Sequence, residues 1–152
     1  MVATATQGPL PDHSQRVLSR GGVKDADGAI YFEYDADAGL VAAGFHSEPI
    51  ALAAIRGAIA RDPAGWADIM APLERAGGRL SHGASLARMP RGFEAFADTP
   101  VADALKLRNH IVSRPLTASE ITDPQLVARI ADFAEAARPF LELGWRALRG
   151  AV

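Results

Sequence analysis

Two short apolar runs separated by a glycine-containing loop constrain the fold of this chain more than any other feature. The first run, Ile30 to Tyr34 (I-Y-F-E-Y), is aromatic and β-branched, and the second, Leu40 to His46 (L-V-A-A-G-F-H), begins directly after Gly39. Runs of this composition joined by a few residues are typical of two antiparallel strands in a hairpin. Because side chains alternate between the two faces of a strand, we expect one face of this hairpin to lie on the core and the other to be more exposed.

Helix-start signals follow the hairpin. Ser47 offers a hydroxyl to cap a helix whose first turn contains Pro49, and Asp62 before a proline repeats the signal for a second helix. The first helix is amphipathic, and Arg56 and Arg61 are expected to lie off its apolar face. That face consists of Leu52, Ile55 and Ile59.

The longest helix is predicted at the C-terminal end of the chain. Thr117 and Glu120 form a capping-box pattern, T-A-S-E, and Asp123 with the following proline then signals the start of the long helix. Pro139 is expected to kink this helix near its last third. Its apolar stripe consists of Leu126, Ile130, Phe133, Ala137 and Leu141.

Two more short strands complete the predicted elements. Arg16 to Leu18 is predicted to form a short edge strand, and His110 to Ser113 (H-I-V-S) a strand that we expect to end by Pro115, because proline cannot donate to a β-ladder. The chain is therefore expected to be an α+β protein. It would contain a small antiparallel sheet, with the hairpin at about 30–46, packed with four or five helices and a long kinked C-terminal helix.

The chain has the length of one domain. It contains 152 residues, which is enough to bury one hydrophobic core. Residues 1–15 are small, polar or proline and show no period, so they are predicted to form a flexible tail. Residues 16–152 are predicted to form a single α+β domain.

Composition disfavours several classes of protein. The net charge is -2 and the isoelectric point about 6.1, so the chain lacks the basic bias of a nucleic-acid binder. No apolar run approaches the roughly 20 residues needed to span a bilayer, and no membrane association is expected. The N-terminus does not have the pattern of a secretory signal, and there is no cysteine. A cytoplasmic protein is expected.

Familiar catalytic and cofactor motifs are missing from the sequence. It contains no G-x-x-x-x-G-K-[ST], no G-x-G-x-x-G, no G-x-S-x-G and no H-E-x-x-H. The four histidines have no short ligand spacing, so no metal site and no cofactor are predicted.

A cluster of arginines in the middle of the chain is the strongest candidate for chemistry. Arg91 and Arg114 each adjoin a proline and Arg88 lies two residues before one, and a guanidinium fits a carboxylate or phosphate. They could bind a small anion, with His110 or His46 as general acid or base. The alternative is structural: each arginine would pair with a nearby carboxylate, and each histidine would simply belong to the fold.

Apolar residues near the end of the long helix are candidates for contact with a partner. Trp145 and Leu148 lie there, and large amphipathic rings occur both in cores and at interfaces. A partner protein or a second copy could use this end of the helix. Packing within the domain is the other interpretation.

Three segments resemble a widespread bacterial family. They are F-E-Y-D with G-L-V-A-A-G-F-H-S-E-P-I-A-L-A-A-I-R-G-A-I, then L-A-R-M-P-R-G-F, and then L-K-L-R-N-H-I-V-S-R-P-L; the ordered pair P-R-G-F and S-R-P-L is the most specific part. Over about Gly21 to Leu148 the chain is similar to the carboxy-terminal part of a bacterial domain of unknown function, a family of conserved hypothetical proteins. The resemblance implies an α+β fold, no established activity, and longer relatives with a further helical and basic, aromatic region.

Two functions from different classes fit these observations. The first is a non-enzymatic binding or assembly module that docks on itself or on a larger complex through an open sheet edge or the final helix. The alternative is an enzyme or a ligand-binding protein for a small anionic metabolite, which would use the arginines and histidines named above.

Overall fold

The structure, a computed structural model, describes residues 2–4, 13–19, 28–35, 37–46 and 48–150. Within these ranges the chain has the predicted α+β fold, with one antiparallel sheet and five α-helices. The strands are Val2–Thr4 (β1), His13–Ser19 (β2), Ala29–Asp35 (β3), Ala38–Phe45 (β4), Arg79–Leu80 (β5) and His110–Thr117 (β6). The helices are Pro49–Arg61 (α1), Pro63–Arg75 (α2), Ala102–Lys106 (α3), Ala118–Ile121 (α4) and Leu126–Arg149 (α5).

The six strands have the order β1-β2-β3-β4-β6-β5, so the predicted hairpin of β3 and β4 lies at the centre of the sheet. Ile30 is opposite Ala43 and Phe32 is opposite Val41. Ile30 and Val41 are fully buried. In the connecting loop, one oxygen of Asp35 accepts hydrogen bonds from two following backbone N–H groups at 2.8 and 2.9 Å. The hairpin is confirmed.

The first strands enter the segment that the sequence predicts to be a flexible tail. The strand expected at Arg16 to Leu18 belongs to β2, which starts at His13, and Val2–Thr4 pairs with β2. Residues 2–4 and 13–15 of the expected tail therefore lie in strands, and the flexibility of the tail stays a prediction. A β-ladder uses backbone groups, so a polar segment without an apolar period can still join one. Residues 1 and 5–12 of the expected tail lie outside the described residues.

Helices α1 and α2 follow the hairpin as predicted. Helix α1 begins at Pro49, and Glu48 occupies the N-cap position without a side-chain capping bond. The expected cap, Ser47, lies outside the described residues. Asp62 caps α2 as predicted, because its Oδ1 accepts a hydrogen bond from the Gly65 N–H at 2.9 Å. Both helices bury apolar residues in the core, including Ile55, Ile59, Trp66, Met70 and Leu73.

Strand β6 continues past Pro115, so the expectation that the strand ends there is wrong. On its β5 side, the Ile111 carbonyl accepts a hydrogen bond from the Ser81 N–H at 2.8 Å. Alternate residues of a strand direct their backbone groups to the same side, so the Pro115 nitrogen also faces this side. Strand β5 begins at Arg79, opposite Ser113, and does not reach the proline. Proline therefore removes no ladder hydrogen bond from β6.

Helix α5 begins at Leu126, slightly later than the sequence indicates. Asp123 instead accepts a hydrogen bond from the Gln125 N–H at 2.8 Å. The helix continues on both sides of Pro139, where a kink stays a prediction. The buried face of α5 packs against α1, α2 and β4. It consists of Phe133, Ala137, Phe140, Leu141 and Gly144.

Candidate functional site

The three arginines predicted to bind an anion have different environments. Arg114 lies on β6 and its Nη2 is 2.5 Å from Glu120 Oε1, in a pair whose side chains are only about one-fifth exposed. Arg88 and Arg91 are exposed in the segment between β5 and α3. Glu120 therefore neutralises Arg114, which makes Arg114 less available to a ligand than the two exposed arginines.

Glu120 is held in place by more than Arg114. It closes the capping box at the start of α4, where its Oε2 accepts a hydrogen bond from the Thr117 N–H at 3.0 Å. This hydrogen bond is the main cause that lowers the pKa of Glu120, and the positive charge of Arg114 adds to it. The capping box predicted from T-A-S-E is thus confirmed, and the arginine is an additional member that local spacing could not indicate.

His110 is fully buried at the start of β6. Its Nε2 is 2.9 Å from the Ala104 carbonyl oxygen, and since a carbonyl can only accept, Nε2 carries the hydrogen. Its Nδ1 has no hydrogen-bond partner among the described residues. Burial lowers the pKa of His110 to about 4, against the opposing effect of the Ala104 hydrogen bond and with a further lowering by Arg56. The ring is therefore neutral at pH 7 and out of contact with solvent.

Arg56, which the sequence predicts to lie off the apolar face of α1, is a buried charged residue. It is only 8% exposed, and its Nη2 donates to the Leu107 carbonyl oxygen at 2.7 Å. Burial lowers the pKa of Arg56, and Arg108 lowers it further. The described part of the chain supplies no carboxylate partner to this guanidinium. The spacing already carried a signal, because position 56 is four residues after Leu52 and three before Ile59.

The remaining candidate residues are His46, Trp145 and Leu148. His46 is exposed directly after β4. Trp145 and Leu148 are partly buried and pack against the core of the domain. Trp145 also lines a small depression on α5 together with Glu142, Arg146 and Arg149. The packing interpretation thus accounts for part of the surface of these two α5 residues.

A groove of about 650 Å³ runs between α1 and α5, and we refer to it as the α1 groove. Its walls are mostly small and apolar. Ile50 stands at one end and is 74% exposed, which is unusual for a large aliphatic side chain. A Cβ atom added at Gly57 would meet no heavy atom within 4 Å. The groove is lined by Ile50, Ala53, Ala54, Gly57, Ala58, Arg61, Asp62, Leu143, Arg146, Ala147 and Gly150.

A second concavity, of about 450 Å³, lies between α2, β5 and the start of α3, and we refer to it as the α2 cleft. Its floor contains buried apolar residues, and its rim contains two carboxylates, an arginine and a histidine. The lining residues are Pro63, Trp66, Ala67, Met70, Glu74, Arg79, Leu80, His82, Pro100, Val101, Asp103 and Ala104. Neither this cleft nor the α1 groove is lined by any of the three predicted arginines.

The described edges of the sheet offer little to an incoming strand. The edge strands β1 and β5 have only three and two residues. Beyond β5, β6 presents Pro115, which has no N–H, and Thr117, whose N–H is already bonded to Glu120. Short edge strands and missing donors both limit pairing with another chain. Strand addition at β1, at β5 and on the β5 side of β6 is therefore disfavoured, whereas β1 leaves the outer side of His13 to Arg16 in β2 without a described neighbour.

Two kinds of site are not found in the described residues. Among them, no group of three or more histidine, aspartate or glutamate side chains is placed to hold a metal ion. No helix of the described ranges is long and apolar enough to cross a membrane.

Comparison with known proteins identifies a family. The model of DUF2461, described as a conserved hypothetical protein, matches residues 7–143 and confirms the resemblance seen in the sequence. The match starts ahead of Gly21, where the resemblance was expected to begin. No curated protein matches the chain. Among solved structures, the chain is similar to an uncharacterized protein from Methanothermobacter thermautotrophicus, with 16% identity, a TM-score of 0.44, and coverage of 97% of this chain and 88% of that chain.

Proposed function

This chain belongs to the DUF2461 family of conserved hypothetical proteins, and we propose that it is a non-enzymatic assembly module that pairs with a second copy of itself through the α1 groove. One observation carries the proposal. One face of α1 carries a large exposed side chain, Ile50, and a glycine, Gly57, with open space beside it.

Gly57 has no role within the described part of the chain that requires a glycine. A glycine in a helix interior costs about 1 kcal/mol relative to alanine. Beyond the local backbone of α1, no described heavy atom lies within 4 Å of where a Cβ would be, so packing inside the monomer does not exclude a larger residue. A close approach of another helix would explain why the position is left open.

An antiparallel pair of α1 helices brings these two features together. Ile50 and Gly57 are seven residues apart, which is two helical turns or about 10 Å. When two copies of one helix cross antiparallel about Ala53 and Ala54, Ile50 of each copy lies over Gly57 of the other. This arrangement is isologous, because the same surface serves both subunits.

Charges at the two ends of α1 favour the same orientation. Glu48 precedes the helix and Arg61 ends it, and both are exposed. Neither forms an ion pair within the described part of the chain. In the antiparallel pair, Arg61 of one subunit approaches Glu48 of the other, since helical side chains lean toward the helix N-terminus. A parallel pair would place like charges together.

Helix α5 supplies the second wall of the proposed interface. Leu143 and Ala147 line the α1 groove next to the small residues of α1. Their apolar surface would be removed from water together with that of Ile50, at about 25 cal/mol per Å². We prefer this interface to an open sheet edge, because the outermost strands β1 and β5 are short and β6 lacks free donors at Pro115 and Thr117.

Sedimentation velocity of the purified chain over a range of concentrations tests the proposal. We expect a dimer in the wild type and a monomer in Ile50→Asp, since the substitution would bury an unpaired carboxylate. Val127→Asp is the matched control, because Val127 is equally exposed (77%) but lies outside the groove. A wild type that stays monomeric at every concentration contradicts the proposal, as does an Ile50→Asp dimer as stable as the wild type.

A charge exchange tests the orientation. In Glu48→Arg and in Arg61→Glu, each homodimer faces like charges, so both variants should associate more weakly than the wild type. Mixing the two variants should restore association, because the heterodimer pairs opposite charges at both ends of α1. A mixture no tighter than the separate variants would rule out the antiparallel arrangement.

A further inference from the structure

We infer that the α2 cleft binds a free amino acid with an apolar side chain. The cleft shares no lining residue with the α1 groove, so this inference does not depend on the proposed dimer. Its volume of about 450 Å³ lies within the range of small-molecule sites. Three parts of the cleft match the three chemical parts of such a ligand.

The floor of the cleft matches an apolar side chain. Trp66, Met70, Val101 and Ala104 line the cleft although each is less than 9% exposed. An indole face and a flexible thioether accept aliphatic and aromatic groups of different shapes. This floor does not provide partners for a strongly polar side chain.

Two carboxylates on the rim match an ammonium group. Glu74 projects from α2 and Asp103 from α3, so they approach the cleft from two elements. Asp103 is 77% exposed, and among the described residues its only ion-pair partner is Lys106, at 4.0 Å. Its oxygens are therefore available to accept hydrogen bonds from a ligand ammonium.

Arg79 matches the carboxylate of the ligand. Its Nη1 donates to the Gly78 carbonyl oxygen at 2.7 Å and to the Glu74 carbonyl oxygen at 3.1 Å. These two bonds hold the guanidinium at the edge of the cleft while its other nitrogens have no partner among the described residues. A guanidinium fixed in this way loses little conformational entropy when it binds a carboxylate.

The combination selects for a zwitterion. An amine alone would leave Arg79 unused, and a carboxylic acid alone would lie against Glu74 and Asp103 without compensation. The ligand must also be compact, because the positive and negative rim groups surround one floor. A free amino acid such as leucine or phenylalanine meets these requirements. A ligand of the same shape without charged groups does not meet them.

Isothermal titration calorimetry with leucine and phenylalanine tests the inference. The N-acetyl derivative removes the ammonium and the amide derivative removes the carboxylate, so each should bind at least about tenfold more weakly than the parent amino acid. Arg79→Met should abolish the preference for the acid over the amide. Asp103→Asn should reduce the preference for the free amine over the N-acetyl form, and Asp103→Asn combined with Glu74→Gln should abolish it.

Matched variants separate the cleft from general charge effects. Arg91→Met and Asp98→Asn remove one exposed arginine and one exposed aspartate that do not line the cleft, and both should bind as the wild type does. Absence of heat and of thermal stabilisation with both amino acids at millimolar concentrations would overturn the inference. Equal binding of the derivatives, or equal losses in the matched variants, would overturn it as well.

Discussion

The Nε2 atom of His110 lies 2.9 Å from the carbonyl oxygen of Ala104, and this hydrogen bond joins the start of β6 to helix α3 inside the core. The ring is fully buried, and burial holds its pKa at about 4, well below the usual 6.5. The hydrogen bond to Ala104 favours the protonated ring, but burial outweighs it, so the folded domain holds the ring in its neutral form. His110 makes the stability of the domain depend on pH.

We expect the free energy of unfolding to fall as the pH is lowered from 6.5 to about 4. In this window the unfolded chain binds a proton on His110 that the folded chain does not bind, so acid favours unfolding. The full effect is about 3 kcal/mol. Urea unfolding as a function of pH measures it, with attention to pH 5–6.5, where most carboxylates stay ionised.

Two variants isolate this contribution. His110→Gln keeps an N–H group for the Ala104 carbonyl but does not titrate, so it should flatten the dependence between pH 5 and 6.5. His82→Gln removes an exposed histidine and should leave the dependence unchanged. If the slope persists in His110→Gln, another group is responsible.

The charge of Arg56 contributes to the low pKa of His110. Arg56→Gln keeps a side-chain donor that can reach toward the Leu107 carbonyl but removes the charge. We expect the pKa of His110 to rise in this variant, because the protonated ring no longer faces a buried guanidinium. An NMR titration of the ring Hε1 proton follows the change, and Arg91→Gln is the control. An unchanged His110 titration in Arg56→Gln would contradict the expected coupling.

Two glycines on helices should respond to alanine with opposite signs. Gly57 is open to space on α1, whereas a Cβ on Gly144 of α5 would overlap the ring of Phe45. In an Ile50→Asp background, which prevents the proposed association, Gly57→Ala should raise the unfolding free energy by about 0.5–1 kcal/mol. Gly144→Ala should lower it by about 1–3 kcal/mol through overpacking. Thermal unfolding of the two variants measures both, and a shift of the same sign would contradict the structure.

Elements that depend on local signals could be predicted from the sequence. The β3–β4 hairpin, the Asp62 cap and the Thr117–Glu120 capping box each involve residues close together in the chain, and all three are confirmed. The extension of β6 past Pro115 could not be predicted. It depends on where the neighbouring strand β5 begins, and two residues with no period do not indicate a strand.

The candidate sites were harder to predict for the same physical reason. Arg56 is buried because the Leu107 carbonyl, 51 residues further along the chain, lies where its guanidinium can donate. The α1 groove exists because α5 packs beside α1, and the α2 cleft because β5 and α3 meet α2. Arginines near prolines can be recognised in the sequence alone. A groove or cleft, by contrast, forms only where segments distant in the sequence pack together.

The ion pair between Arg114 and Glu120 provides the last prediction. Both side chains are about one-fifth exposed, and Glu120 is already fixed by the capping box. Little side-chain entropy is therefore lost in forming the pair, and a double-mutant cycle with Arg114→Met and Glu120→Gln should give a coupling energy of about 0.5–1 kcal/mol. The coupling should shrink at high salt.

Because the pKa of Glu120 is lowered in the folded chain, the contribution of Glu120 to stability is complete above the usual carboxyl pKa and is lost as the pH falls through the lowered value. The same cycle with exposed Arg91 in place of Arg114 should give no coupling, and a coupling of zero for Arg114 itself would leave the residue free for the anion-binding role first considered.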